Sequence, residues 1–216
     1  MNPITYRRAF VDDAEFIAMA ILAADRSGTP NSSYCALFQM EEKAFLEMVI
    51  ALLEMELEDC EFSVAAFCIA ESDGIRAGAC AGWIEGAQGI PSWQMKFTAL
   101  RYVLSPEALI AFQNMQTRVK GMMPERTNGA LQIESVYITP AFRGNGIVEG
   151  MIQHHMEWNQ LASKQESLTE IITYDNNARA IRAYEKLGFR ITSSTKLTDP
   201  EVILVYPADG MVLMQK

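Results

Sequence analysis

Positive charge is scarce in this chain: 18 Lys and Arg stand against 27 Asp and Glu, for a net charge of −9 over 216 residues. A nucleic-acid partner therefore has no electrostatic footprint here. The acidity serves solubility or helps to gather a cationic amine, and charge alone leaves both open. Long apolar runs are also missing. Half of the residues are hydrophobic, yet no run approaches the roughly 20 residues of a membrane span. The N-terminus turns polar at Arg7, Arg8, Asp12 and Asp13, unlike a signal peptide. The four cysteines, Cys35, Cys60, Cys68 and Cys80, form no CxxC pair and no metal spacing. They read as reduced core thiols, which fits a cytoplasmic protein. The two histidines, His154 and His155, are adjacent rather than four apart, so they make no metal pair. What remains suits one compact α/β domain over residues 1–216, with a sizeable core.

Apolar spacing divides the chain. Ile4 to Arg8 reads as a strand, and Asp12 and Asp13 open a helix, with Asp12 and Glu15 at capping-box spacing. Residues 27–33 read as a loop, and a second helix runs from about Met40 to Glu58. Phe62 to Glu71 and Arg76 to Glu85 read as strands joined at Ser72-Asp73-Gly74, a hairpin signal. Gly78 and Gly82 in the second of these imply a bulge or a close backbone approach. Residues 87–129 read as a helical insertion, either over a functional site or as a structural flap or dimer surface. Within it, Ser105-Pro106 starts a helix reaching Lys120. Strands are expected over 131–138, 170–174, 190–196, 202–206 and 211–214, with helices over 147–158 and 177–187.

The most informative stretch is Ile138-Thr139-Pro140-Ala141-Phe142-Arg143-Gly144-Asn145-Gly146-Ile147. A strand enters it and a helix leaves it. Glycines let backbone approach an anion, and free N–H groups at a helix start point toward it. Arg143 adds a cation beside those amides. Taken alone, the stretch is a phosphate cradle or a plain tight turn. A second stretch, Asn177 to Phe189, has the form Asn-x-x-Ala-x-x-x-Tyr-x-Lys-x-Gly-Phe. In this order the two motifs resemble the GCN5-related N-acetyltransferase (GNAT) family, and Tyr6 to Ala14 looks like that family's usual opening.

The resemblance implies a mixed, mostly antiparallel twisted sheet with splayed central parallel strands and helices on both faces. It implies acetyl-CoA (coenzyme A) as acyl donor and a small-molecule or peptide amine as acceptor; dimers are common in the family, so a homodimer is open. The pyrophosphate would lie on Arg143, Gly144, Asn145, Gly146, Ile147 and Val148. Val148 stands where the family has a small residue, which crowds the helix start. The pantetheine arm would pair with the backbone of Val136, Tyr137 and Ile138, and Asn177 would contact that arm while capping its own helix. Arg182 and Lys186 either meet the 3′-phosphate or form a solvated face.

Acyl transfer to an amine also needs a proton acceptor and a proton donor. Tyr184 shares a helix side with Ala180, Ile181 and Leu187, so its hydroxyl points inward. It is either the acid that protonates the leaving thiolate or a core tyrosine with a satisfied hydroxyl. Glu134 lies four residues before Ile138; strand alternation puts it on one face with Gln132, Val136 and Ile138. It is the candidate base, or else an ordinary solvated carboxylate. Ile172 occupies the position at which some protein N-terminal acetyltransferases carry a glutamate, and its apolar side chain argues against that arrangement. Tyr34, Phe38 and Met40 are placed at the acceptor groove by position.

Overall fold

Among the described residues, seven strands form one open sheet in the order β1-β2-β3-β4-β5-β7-β6. The computed structural model describes residues 3–55, 57–119, 121–163 and 168–216. The strands are β1 (Thr5–Arg8), β2 (Phe67–Ser72), β3 (Ile75–Ile84), β4 (Leu131–Ile138), β5 (Thr169–Tyr174), β6 (Arg190–Lys196) and β7 (Gly210–Gln215). All neighbours run antiparallel except β4 and β5. Among the described residues there are eight α-helices: α1 (Ala14–Arg26), α2 (Ser33–Phe38), α3 (Glu42–Leu53), α4 (Ser92–Val103), α5 (Pro106–Arg118), α6 (Ile147–Ser163), α7 (Ala178–Lys186) and α8 (Pro200–Ile203).

Two layers of helix cover the sheet. α1 and α3 bury Ile17, Ile21, Phe45, Val49 and Leu52 against Ala79, Ala81 and Trp83 of β3. On the opposite face, α6 and α7 pack Met151, Ile152 and Tyr184 against Cys80, Ile133 and Ile171. Burying such side chains contributes about 1.5–3 kcal/mol each relative to exposure. Small residues set the spacing on that face. A Cβ on Gly82 would sit 2.5 Å from His155 Nδ1, and one on Gly150 would sit 2.1 Å from Tyr6 Oη. His155 is thereby held in the core, donating from Nε2 to Cys80 O at 2.9 Å, and burial lowers its pKa to about 4. All four cysteines are free, with Cys35 half-buried and the others buried.

Four expectations are corrected. Ser33, the last residue of the expected loop, instead begins a helix over 33–38, because Ser32 caps the turn by accepting from Cys35 N. The second long helix is shorter than expected, running Glu42–Leu53; Glu56, within the expected span, lies outside the described residues. Residues 202–206 are not a strand: Asp199 accepts from the N–H groups of Glu201 and Val202, and Pro200 follows at the first helical position, so α8 starts instead. Asp12 and Glu15 form no capping box; Asp13 accepts from Phe10 N at 2.9 Å and binds Arg7 and Arg76 at 2.7 and 2.6 Å. In the 87–129 stretch, α4 and α5 are present, and Ser105 accepts from Ala108 N at the start of α5 as expected. The far end expected for that helix, Lys120, lies outside the described residues. No helix among the described residues is long and apolar enough to cross a membrane.

Candidate active site

The parallel pair β4 and β5 separates partway along its length. Register runs Leu131↔Thr169, Gln132↔Glu170 and Ile133↔Ile171, and stops there. Among the described residues, the β5-facing edge of β4 has no strand partner beyond Ile133, although the other edge still pairs Tyr137 with Ala79 and Ile138 with Gly78. A cleft of about 1540 Å³ opens at this gap, more than one small ligand needs. Val136, Tyr137, Ile138, Arg143, Gly144, Gly146, Ile147, Val148, Asn177, Glu134 and Tyr184 all line it. Asn145 does not: its side-chain amide folds back onto Phe142 O at 2.9 Å and Arg143 O at 3.4 Å.

At one end of the cleft lies the glycine turn. Gly144 and Gly146 have φ of +87° and +72°, and nothing stands within 4 Å of where a Cβ would be. Among the described residues, no acceptor binds the amides of Gly144 to Glu149; the first bonded amide of α6 is Gly150, to Gly146 O. These are the unsatisfied donors of a helix start, directed at open space. Val148 is half-buried against the apolar layer under α6 and leaves the amides open. Arg143 is exposed and donates from Nε to Ile138 O at 3.3 Å. The turn therefore fits a diphosphate, and the free edge of β4 fits an extended amide-bearing arm.

Asn177 caps α7 as expected, with Oδ1 accepting from Ala180 N at 3.1 Å. Its Nδ2 donates to Ser27 Oγ at 2.7 Å, which ties α7 to the end of α1. Tyr184 is 6% exposed and points inward from α7. Burial, with a smaller contribution from nearby Cys80, pushes its phenol above the ordinary range, so it stays protonated. Its hydroxyl has no hydrogen-bond partner among the described residues.

Glu134 does not lie on the face that simple alternation implies. Ser135 adopts φ +50°, and the β3–β4 register slips between Ala79 and Ala81. This bulge resets the alternation. Val136 and Ile138 join the layer under α6, whereas Tyr137 joins the α1 and α3 layer. Glu134, next to Trp83 through Arg126, shares the Tyr137 side. Glu134 and Tyr184 thus approach the gap from opposite faces of the sheet.

Around Glu134 lies a polar cluster that sequence spacing does not reveal. Arg126 forms an ion pair with Glu134, both side chains being 14% exposed. Arg126 also donates to Gln132 Oε1 at 3.2 Å and lies over the Trp83 ring at 5.4 Å. Lys96 of α4 binds Glu61 at 2.7 Å, and the Tyr34 hydroxyl donates to the same carboxylate. Glu85 accepts from Ser92 N at 2.9 Å and from Ser92 Oγ at 2.7 Å. Burial raises Glu134 to about 7, with Arg126 opposing and Glu61 adding to the rise. Tyr34 and Phe38 line the cleft, as does Phe97, while Met40 packs into the core instead. Asp25 is a further wall residue. It accepts from Ser32 Oγ at 2.6 Å and from the Ser33 hydroxyl, and burial raises it to about 6 against those hydrogen bonds. Glu61, between Cys60 and Phe62, carries a local signal as a charged residue beside an apolar segment, whereas Arg126, in Pro124-Glu125-Arg126-Thr127-Asn128, carries none.

Comparison with known proteins agrees with this geometry. The model of the acetyltransferase (GNAT) family matches residues 36–189. That is well over half of the chain, and the chain belongs to the GNAT family. Members are acetyltransferases that take acetyl-CoA as donor. An N-acetyltransferase from Staphylococcus aureus Mu50 superposes with a TM-score of 0.68 at 15% identity, covering 98% of this chain and 100% of that one. Arylalkylamine N-acetyltransferase 2 from Aedes aegypti gives 0.61 at 14% identity, covering 100% and 99%. A Salmonella typhimurium structure with its cofactor acetyl-CoA gives 0.56 at 13% identity, covering 100% and 94%. At these identities the likeness establishes the fold. No curated protein matches the chain by sequence.

Proposed function

We propose that this protein transfers an acetyl group from acetyl-CoA to a primary amine of a small cationic molecule or peptide, by direct attack in a ternary complex. One observation carries the reading: a single cleft runs from the open amides of Gly144–Glu149, along the unpaired edge of β4, to Glu134 and Tyr184. Its lining carries both signs: Arg143, Arg179, Arg182 and Lys186, with Glu149, on the glycine turn, α6 and α7, and Glu61, Glu85 and Glu134, with Lys96 and Arg126, around β4. An anionic donor and a cationic acceptor would each meet complementary potential.

Acetyl-CoA supplies a thioester carbonyl for attack and a thiolate that leaves. The amides of Gly144 to Glu149 hold its diphosphate, helped by Arg143. The backbone of Val136, Tyr137 and Ile138 aligns the arm as an added strand. Glu134 accepts the proton that frees the amine lone pair, directly or through one water. The protonated phenol of Tyr184 donates to the departing sulfur. Holding both reactants in one cleft removes the entropy of a bimolecular encounter.

The test is a thiol-release screen with acetyl-CoA across polyamines, aminoglycosides, amino acids, peptide N-termini and lysine side chains. Release with at least one cationic amine is expected. Binding of acetyl-CoA with no release across the panel would refute the enzymatic reading and favour a non-catalytic acyl-CoA-binding module on this fold.

A further inference from the structure

We infer that the proton acceptor of this site is a carboxyl pair, Glu61 with Glu134, and that Arg126 and Lys96 set its charge. The inference rests on the acyl-transfer reading above. The two residues come from distant parts of the chain, Glu61 from the connection before β2 and Glu134 from β4. Both line the cleft, with Lys96 holding Glu61 at 2.7 Å and Arg126 holding Glu134, and their side chains are only 2% and 14% exposed; each carboxyl acts on the other's titration, lowering Glu61 and raising Glu134. Two buried carboxyl groups that act on each other's titration resist double ionisation, so the pair holds one proton until the pH is high enough to remove it.

The surroundings decide how high that is. Arg126 faces Glu134 from the segment before β4, and Lys96 faces Glu61 from α4 at 2.7 Å. Tyr34 of α2 donates to Glu61. Glu85, at the end of β3, is the third carboxylate near Arg126, but Ser92 and Trp83 Nε1 already hold it. Two cations against two carboxylates make the doubly ionised pair electrically neutral with its neighbours. The pair then takes one proton from the substrate ammonium: an N–H bond breaks, an O–H bond forms, nitrogen loses its positive charge, and the pair passes from two negative charges to one. The proton later returns to solvent. Lys96 and Arg126 both fall within residues 87–129, which gives that stretch a part in tuning the base. Burial, with Glu61 adding to it, raises Glu134, while Lys96 helps outweigh burial at Glu61 and holds it below the usual range.

The test combines two measurements on the full chain. Carboxyl 13C NMR of glutamate-labelled protein should show one site titrating near neutral pH, absent in Glu134→Gln. In Glu61→Gln that titration, and the acid limb of kcat/KM, should move down by about one pH unit or more, since a negative neighbour has been removed. In Arg126→Gln both should move up by a similar amount. A purely structural role for Glu61 would lower thermal stability and leave both titrations in place, and that result would overturn the pair. Titrations that shift as stated while Glu134→Gln keeps full turnover would instead overturn the assignment of Glu134 as base. Arg126→Gln keeps the inference testable if Glu61→Gln does not fold.

Discussion

Tyr184→Phe separates a chemical role from a packing role. The substitution keeps the ring, which packs at 6.3 Å from the Phe189 ring, and removes only the hydroxyl. That hydroxyl has no protein partner among the described residues, so its loss leaves no buried donor or acceptor stranded. Stability should change by less than about 0.5 kcal/mol, in contrast to the roughly 1–3 kcal/mol of a broken buried hydrogen bond. The catalytic effect should be large. A positioned general acid contributes about 10²–10⁴-fold, so kcat should fall at least about 100-fold with the best amine, equivalent to about 3 kcal/mol of barrier. The KM for acetyl-CoA should change little, because the diphosphate cradle lies on the glycine turn. Burial keeps the phenol protonated through the working range; no alkaline limb should disappear with it. The assay is steady-state thiol release with a parallel thermal melt. An unchanged kcat, or a loss of kcat explained by a drop in melting temperature, would refute the assignment.

Other variants test separate parts of the structure. Gly146→Ala forces a side chain onto a φ of +72°, at a cost of about 1–2 kcal/mol; the KM for acetyl-CoA should rise about tenfold, and an unmoved KM would exclude this turn from donor binding. Gly82→Ala would place a methyl 2.5 Å from His155 Nδ1; His155 cannot retreat without losing Cys80 O, so denaturant melts should show about 1–3 kcal/mol of destabilisation. Asp13 is held near 2, below the usual 3.8, because hydrogen bonds from Arg7, Phe10 N–H and Arg76 outweigh the opposing effect of burial. Its stabilising contribution of about 2 kcal/mol is therefore complete above about pH 4 and lost as pH falls through about 2. Urea melts of Asp13→Asn against the parent should differ at pH 7 and converge in acid.

The division between what sequence reveals and what it hides follows the range of the interactions. Local signals served well: Asn177 at the start of α7, Ser105-Pro106 at the start of α5, and the paired glycines before α6 each act within a few residues. α8 carries a local signal of its own: the apolar Val202-Ile203-Leu204 run reads as a strand, yet Asp199-Pro200 is a helix start. The bulge at Ser135 was not readable, because nothing in Glu134-Ser135-Val136 marks a non-glycine residue for positive φ. That single conformation moves Glu134 to the other side of the sheet from Val136. The partners of Glu134 were hidden for a different reason. Glu61, Lys96 and Arg126 lie on three separate segments, and only tertiary folding makes them one cluster.

The most direct test is a titration of 15N-labelled protein with coenzyme A, following the backbone amides of Gly144 through Glu149. Saturable shifts concentrated in those six amides, with smaller ones at Val136 to Ile138, are the expected result. Binding that leaves these amides unmoved, or no binding at millimolar coenzyme A, would contradict the account.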